Sequence, residues 1–182
     1  MPRLIRLSTN AETEVGSAWR INALAPALLA AGTAKSEAPI IHVLRHPLDV
    51  VLSVFSNHLT HGFYCANALD TIAKHYVLIA ELVEHYRSQM TLKYLPIRYE
   101  DIVDDQEAGV RRMLSFVGAT FDKRCLKFHE NTRYARTGSY AQVTEKLYDS
   151  SRYRYRHYLK QLQPVIPILE PVIKRLGYTI DG

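Results

Sequence analysis

Cysteine is nearly absent from this 182-residue chain, which has only Cys65 and Cys125. Two thiols cannot build a disulfide framework or a four-cysteine zinc site, and their scarcity favours a reducing compartment. Long apolar runs are missing too; none reaches the roughly 18 residues that a membrane span needs. No Gly-rich loop closes on Lys-Ser or Lys-Thr in the Walker pattern, so that phosphate cradle is excluded. Glycine and proline number eight each, which excludes collagen-like and low-complexity classes. An excess of one charge is also lacking: 23 Lys and Arg against 18 Asp and Glu leave only +5. What is present, 47% hydrophobic and 23% charged residues, is the make-up of one globular domain spanning 1–182.

The segment from Ala23 to Ala34 resembles the apolar core of a signal peptide. It starts beyond position 20, behind Glu12 and Glu14, without the short basic leader of such a peptide. It reads as a small-residue helix packed inside the fold, and the expected location is cytoplasmic. Ala38 to Leu44 is a short, nearly continuous apolar run, the pattern of a strand buried on both faces of a parallel sheet. Pro47 suits the first turn of a helix, and Leu48, Val51, Leu52, Phe55 and Leu59 form one apolar stripe behind it. A long helix is expected over about Asn67–Gln89, with Leu69, Ile72, Ala73, Tyr76, Ala80 and Val83 on one side. Leu92 to Ile97 reads as a second buried strand, and a strand–helix–strand order suggests a parallel crossover.

Asp104 or Asp105 can cap a further helix striped by Val110, Met113, Leu114 and Val117 and stopped by Gly118. Asp122 is expected to cap a short helix carrying Cys125, Leu126 and Phe128. Residues 130 to 150 read as a long polar loop. Ser150 or Ser151 then caps a helix through Leu162, and Pro164 begins a last one ending near Gly177. Leu4 and Ile5 could supply a third strand. The class is α/β with a small parallel sheet flanked by helices. A sheet this thin leaves an edge and apolar faces open, so a homodimer or another partner covering that edge is expected.

Open parallel sheets bind ligands at the carboxyl ends of their strands, beside helix N-termini. The first such place here is Arg45-His-Pro-Leu-Asp-Val-Val-Leu-Ser53. A guanidinium from Arg45 and the Ser53 hydroxyl near a positive helix end would suit a phosphate. The alternative is Arg45 paired with Asp49 and Ser53 bonded to its own helix backbone. Tyr99-Glu-Asp101 ends the second strand, where the tyrosine could stack on a ring or close the core. The third feature is a charge block: from Lys123 to Lys160, ten Lys and Arg face Glu130, Glu145 and Asp149, a local +7. Arg152, Arg154 and Arg156 would oppose the dipole of the Ser-capped helix, so an anion there would offset that cost. Interleaved tyrosines (134, 140, 148, 153, 155 and 158) permit stacking on a nucleobase. The pairs His42/His46 and His58/His61 lack carboxylate or thiol partners at metal-ligand spacing, and the two cysteines read as structural.

Ile40 to Ser53 resembles the 3′-phosphate-binding segment of sulfotransferases that use 3′-phosphoadenosine 5′-phosphosulfate (PAPS). Ile97-Arg-Tyr-Glu-Asp-Ile-Val103, Phe128-His-Glu-Asn131, Arg136 to Val143 and Tyr148-Asp-Ser-Ser151 follow in the order expected of that family. This order is similar to the bacterial branch often fused to tetratricopeptide repeats, over residues 38 to 178. The resemblance implies a P-loop-kinase-like, N-terminally truncated sulfotransferase fold with PAPS as cosubstrate. It implies that Arg45 and Ser53 hold the 3′-phosphate, with Arg154 as a further cation. By the same resemblance Tyr99 contacts the adenosine part and Ser139 lies near the phosphosulfate end.

The family's Pro-x-Ser-Gly-Thr-like loop, whose amides cradle the 5′-phosphosulfate, is not found here. Near Ala18-Trp-Arg-Ile-Asn22, where its Asp-Lys-x-Pro-like element would fall, Arg20 is the cation present. The chain is therefore expected to be the C-terminal portion of such an enzyme, or a shortened relative. The catalytic residues are unassigned, with His46 and Glu100 candidates for general base by position. Transfer of a sulfuryl group to a hydroxyl or amine is the leading expectation. A non-catalytic binding or scaffold domain comes next. Nucleic-acid binding through the basic block comes last, and no membrane is expected as a partner.

Overall fold

The computed structural model describes residues 39–56, 67–91, 93–130 and 152–180. Leu4 and Ile5, Ala23 to Ala34, Leu59, Ser139, and Ser150 or Ser151, for which the sequence sets expectations, lie outside the described residues. The apolar run becomes β1 (Ile40–Leu44), and the second strand is β2 (Tyr94–Arg98). They pair in parallel, from Ile40 opposite Tyr94 to Leu44 opposite Arg98. Between them run α1 (Pro47–Ser56) and α2 (Leu69–Gln89), which make the expected crossover.

β2 passes straight into a short helix, α3 (Tyr99–Asp104), which no apolar periodicity announced. Of the two aspartates offered as caps, Asp105 is the one used: its Oδ1 accepts the Ala108 N–H at 2.9 Å and opens α4 (Gln106–Phe116). Gly118, at φ +71°, ends α4 with the Ala119 N–H returning to Leu114 O at 2.9 Å. Asp122 bonds the Arg124 N–H and starts a 3₁₀ segment, Lys123–Glu130, kinked at Lys127. The final described stretch holds a 3₁₀ turn (Arg154–Tyr158), α5 (Leu159–Leu162) and a Pro-containing turn (Gln163–Val165). It ends in α6 (Ile166–Arg175).

The core lies mainly between helices. Leu48, Val51 and Val54 of α1 meet Ile72 and Ala73 of α2, Leu162 and Val165, and Leu169 and Ile173 of α6. Tyr155 and Tyr178 complete it. This corrects the reading of strands buried on both faces. Ile97 is the deeply buried strand residue, β1 is half-buried, and Val43 is 44% exposed. The reason is that α1, α2 and α6 pack against one another, while a two-stranded sheet leaves each strand one unpaired edge among the described residues. Among the described residues no helix is long and apolar enough to cross a membrane.

The expected Ser-capped helix through Leu162 is also corrected. The segment is a 3₁₀ turn followed by a single α-helical turn, preceded by Tyr153 in the left-handed region (φ 52°, ψ 28°). A left-handed residue cannot continue an α-helix. The Tyr155 amide of this turn goes instead to a side chain of α1, as described next.

Candidate functional site

The last register pair, Leu44 opposite Arg98, fixes what comes next on each strand. Arg45 and His46 follow β1, and Tyr99 and Glu100 follow β2. In both, the first residue is half-buried and the second is fully buried, with His46 at 0% and Glu100 at 1% exposure. The outer pair meets: the Arg45 guanidinium lies 5.6 Å from the centroid of the Tyr99 ring, within range of a cation–π attraction.

The inner pair is locked. The His46 backbone N–H donates to Glu100 Oε1 at 2.9 Å, and the Tyr178 hydroxyl donates to Glu100 Oε2 at 2.8 Å. His46 caps α1, its Nδ1 accepting the Leu48 N–H at 3.2 Å. That assigns the ring proton to Nε2, which donates to the Thr179 carbonyl at 3.1 Å. The ring stacks on Tyr155, with centroids 4.2 Å apart, and meets Tyr178 edge-on at 5.0 Å. In this arrangement neither His46 nor Glu100 presents a free proton acceptor to a substrate. Both are buried, and the ring nitrogens of one and both oxygens of the other are engaged within the fold.

Arg98 closes this base. It donates to the carbonyls of Leu176 at 2.9 Å and Gly177 at 2.7 Å, and lies 4.6 Å from the Tyr178 ring centroid. These carbonyls belong to the end of α6, which finishes in a Schellman turn. There Gly177 N–H bonds Lys174 O, and Tyr178 N–H bonds Ile173 O, both at 2.9 Å.

Asp49, one turn into α1, is the third buried polar residue, at 1% exposure. Its Oδ1 accepts the Tyr155 N–H at 2.8 Å, and its Oδ2 faces Arg45 Nη2 at 3.9 Å. Burial pushes its carboxyl upward; the amides of Tyr155 and Tyr153 and the charge of Arg45 oppose that rise. The Arg45–Asp49 pairing weighed as an alternative is therefore present, and it coexists with the Arg45–Tyr99 contact. Ser53, half-buried, lies one further turn along the same side of α1. Arg154 is exposed, 5.9 Å from the Tyr158 ring centroid, and adjoins Tyr155.

At Arg152, Arg154 and Arg156 the cost of opposing the dipole is met within the protein. The amide end of that turn already has a carboxylate, Asp49. Arg152 pairs with Asp104, and Arg156 lies 4.6 Å from the Tyr153 ring centroid. Among the histidines, His42 is bonded to the Tyr94 hydroxyl. A cavity of about 260 Å³, lined by Glu84, Arg87, Ser88, Met90 and Tyr94, lies at the opposite end of β2 from Tyr99. Sequence reasoning missed the roles of Arg98 and Tyr178, and for Asp49 it offered the Arg45 pairing but not the bond to Tyr155. The available signal was a charged or polar residue placed directly within or beside an apolar stripe.

Comparison with known proteins bears on these residues. A model of the sulfotransferase family matches residues 26–123, a span that holds Arg45, Ser53 and Tyr99. An uncharacterized protein of Aquifex aeolicus (strain VF5) is 30% identical over 144 residues, 76% of this chain. The chain spans 19% of that relative's length. Among solved structures, the sulfotransferase domain from the curacin biosynthetic pathway shares the fold, with a TM-score of 0.64 at 17% identity. That likeness covers 87% of this chain and 60% of the other. The family match takes in more than half of the residues, including both strands and the pair at their ends, and on that ground the chain belongs to the sulfotransferase family.

Proposed function

We propose that this chain forms the nucleotide-holding part of a sulfotransferase that takes its sulfuryl group from PAPS and passes it to a hydroxyl or amine. The observation that carries this reading is the Arg45–Tyr99 pair at the carboxyl ends of two parallel strands. A guanidinium held over a phenol ring at that position offers a charge to a phosphate and a flat face to a nucleobase. Ser53 supplies a hydroxyl on the same helix, and the reading adds Arg154 from the turn bonded to Asp49. The residues fit the 3′-phosphate and adenosine parts of such a donor.

When bound, the donor supplies the activated sulfuryl group; this chain's part is to hold and orient the nucleotide. Ser139 is kept in the proposal as the residue near the phosphosulfate end. Calorimetry with adenosine 3′,5′-bisphosphate and adenosine 5′-monophosphate tests the reading. The bisphosphate is expected to bind at least tenfold more tightly, and Arg45→Ala to weaken it about ten- to a hundredfold, the range for a hydrogen bond to a charged group. Equal binding of the two nucleotides, or bisphosphate binding unchanged by Arg45→Ala, overturns it. A labelled-donor assay on a broad acceptor panel then separates transfer from binding alone.

A further inference from the structure

Tyr153 is the one non-glycine residue at positive φ among the described residues. The left-handed conformation costs an L-residue about 1–2 kcal/mol, so something must hold it. Tyr153 in that region followed by helical Arg154 is the backbone pattern of an anion-binding nest. The anion in this nest is a side chain of the protein itself. Asp49 Oδ1 takes the Tyr155 N–H at 2.8 Å.

The other oxygen of the same carboxylate makes no hydrogen bond, although it is buried. What faces it is Arg45, with Nη2 at 3.9 Å, too long for a hydrogen bond but close for two opposite charges, one of them fully buried. The two oxygens thus serve two different partners. Around this point the turn is fixed at its entry by the Arg152–Asp104 pair and over its rings by His46, which faces both Tyr153 and Tyr155.

We infer that Asp49 is a positioning residue, whose carboxylate clamps the Tyr153–Tyr155 turn to α1 and so sets Arg154 and Arg45 in fixed relation for one phosphate. This rests on the reading that Arg45 and Arg154 serve the 3′-phosphate. A buried acid beside a phosphate site would be expected to weaken anion binding by repulsion. The clamp assigns it the reverse effect, because its charge is taken up by the nest and by Arg45. A neutral side chain of the same shape keeps the Tyr155 bond and loses the attraction on Arg45. A truncated side chain loses both.

Two measurements on Asp49→Asn and Asp49→Ala test the clamp. The first needs no ligand: amide hydrogen exchange by NMR. The Tyr155 amide is expected to lose at least tenfold protection in the Ala variant and little in the Asn variant, with the α6 amides unchanged in both. The second is affinity for adenosine 3′,5′-bisphosphate, expected to fall about tenfold or more with Ala and by less with Asn. Binding of adenosine 5′-monophosphate should hold. In an Arg154→Ala background the Ala effect should shrink, since part of it runs through that arginine. Unchanged Tyr155 protection, tighter bisphosphate binding in the Asn variant, or full additivity with Arg154→Ala overturns the clamp. Should Asp49→Ala fail to fold, the Asn variant and its coupling to Arg154→Ala decide. If the unaltered protein binds no bisphosphate, the functional reading fails, while Tyr155 exchange still decides whether Asp49 holds the turn.

Discussion

The guanidinium of Arg98 fills the space in which a side chain on Gly177 would begin. Gly177 also sits at φ +71°, so both its conformation and its surroundings require the missing Cβ. Gly118 has the same φ and nothing within 4 Å of its own Cβ position. The two therefore separate conformation from contact. Gly118→Ala should cost about 1 kcal/mol from conformation alone. Gly177→Ala should cost roughly 2–4 kcal/mol, because it also displaces Arg98 from the carbonyls it holds. Urea unfolding of both variants makes the comparison, and equal losses would contradict it.

Tyr178→Phe removes one hydroxyl and leaves Glu100 Oε2 buried without its donor. Leaving a buried acceptor unmet costs about 1–3 kcal/mol, and a charged one sits at the upper end. The expected result is a clear loss in thermal and urea stability. Replacing the carboxyl with an amide, Glu100→Gln, in the same protein should recover part of that loss.

His42 is held neutral. Burial, with the charge of Arg87 beside it, pushes its pKa down from 6.5 to about 4. The unfolded chain therefore binds this proton more readily than the fold does. The associated stability is complete above about pH 6.5 and is lost as pH falls toward 4. The difference corresponds to roughly 3 kcal/mol. His42→Asn cannot take up that proton. Wild type should thus lose stability relative to this variant as pH drops through the window, measured by urea titration at pH 7, 5.5 and 4.

Within the proposed function, Tyr99 and Arg45 should fail differently. Tyr99→Ala removes a stacking face worth about 1–3 kcal/mol to a base. It should therefore weaken adenosine 5′-monophosphate and the 3′,5′-bisphosphate by similar factors. Arg45→Ala should weaken the bisphosphate selectively. A matched pair of calorimetric titrations distinguishes the patterns.

The order of elements was legible because β1, α1 and α2 each carry their own apolar pattern, and Gly118 and Gly177 sit where helices end. The six residues of α3 were not, since a helix that short directly after a strand has too few positions for a period to show. The helix expected through Leu162 was misread for a different reason. Its supposed start is organised by Asp49, 106 positions earlier in the chain, and no local pattern reports such a partner. The same holds at the site. Arg45, Ser53 and Tyr99 stand out through their place after strands and along α1. His46 and Glu100 stand in equally prominent places, yet Thr179 and Tyr178 take them out of play from 133 and 78 positions away.

Those separations also order events in time. β1, α1, α2 and β2 can form from nearby residues, but the strand ends are closed by Leu176 to Thr179. Closing loops of that length is entropically slow and must precede the contacts that reward it. During synthesis the strands are made well before the segment that seals them, and in that interval Glu100 lacks Tyr178 and Arg98 lacks the carbonyls of α6. The face at the strand ends is therefore expected to be the last part of the described fold to mature. A folding transition state lacking this closure should give Tyr178→Phe a φ-value near zero.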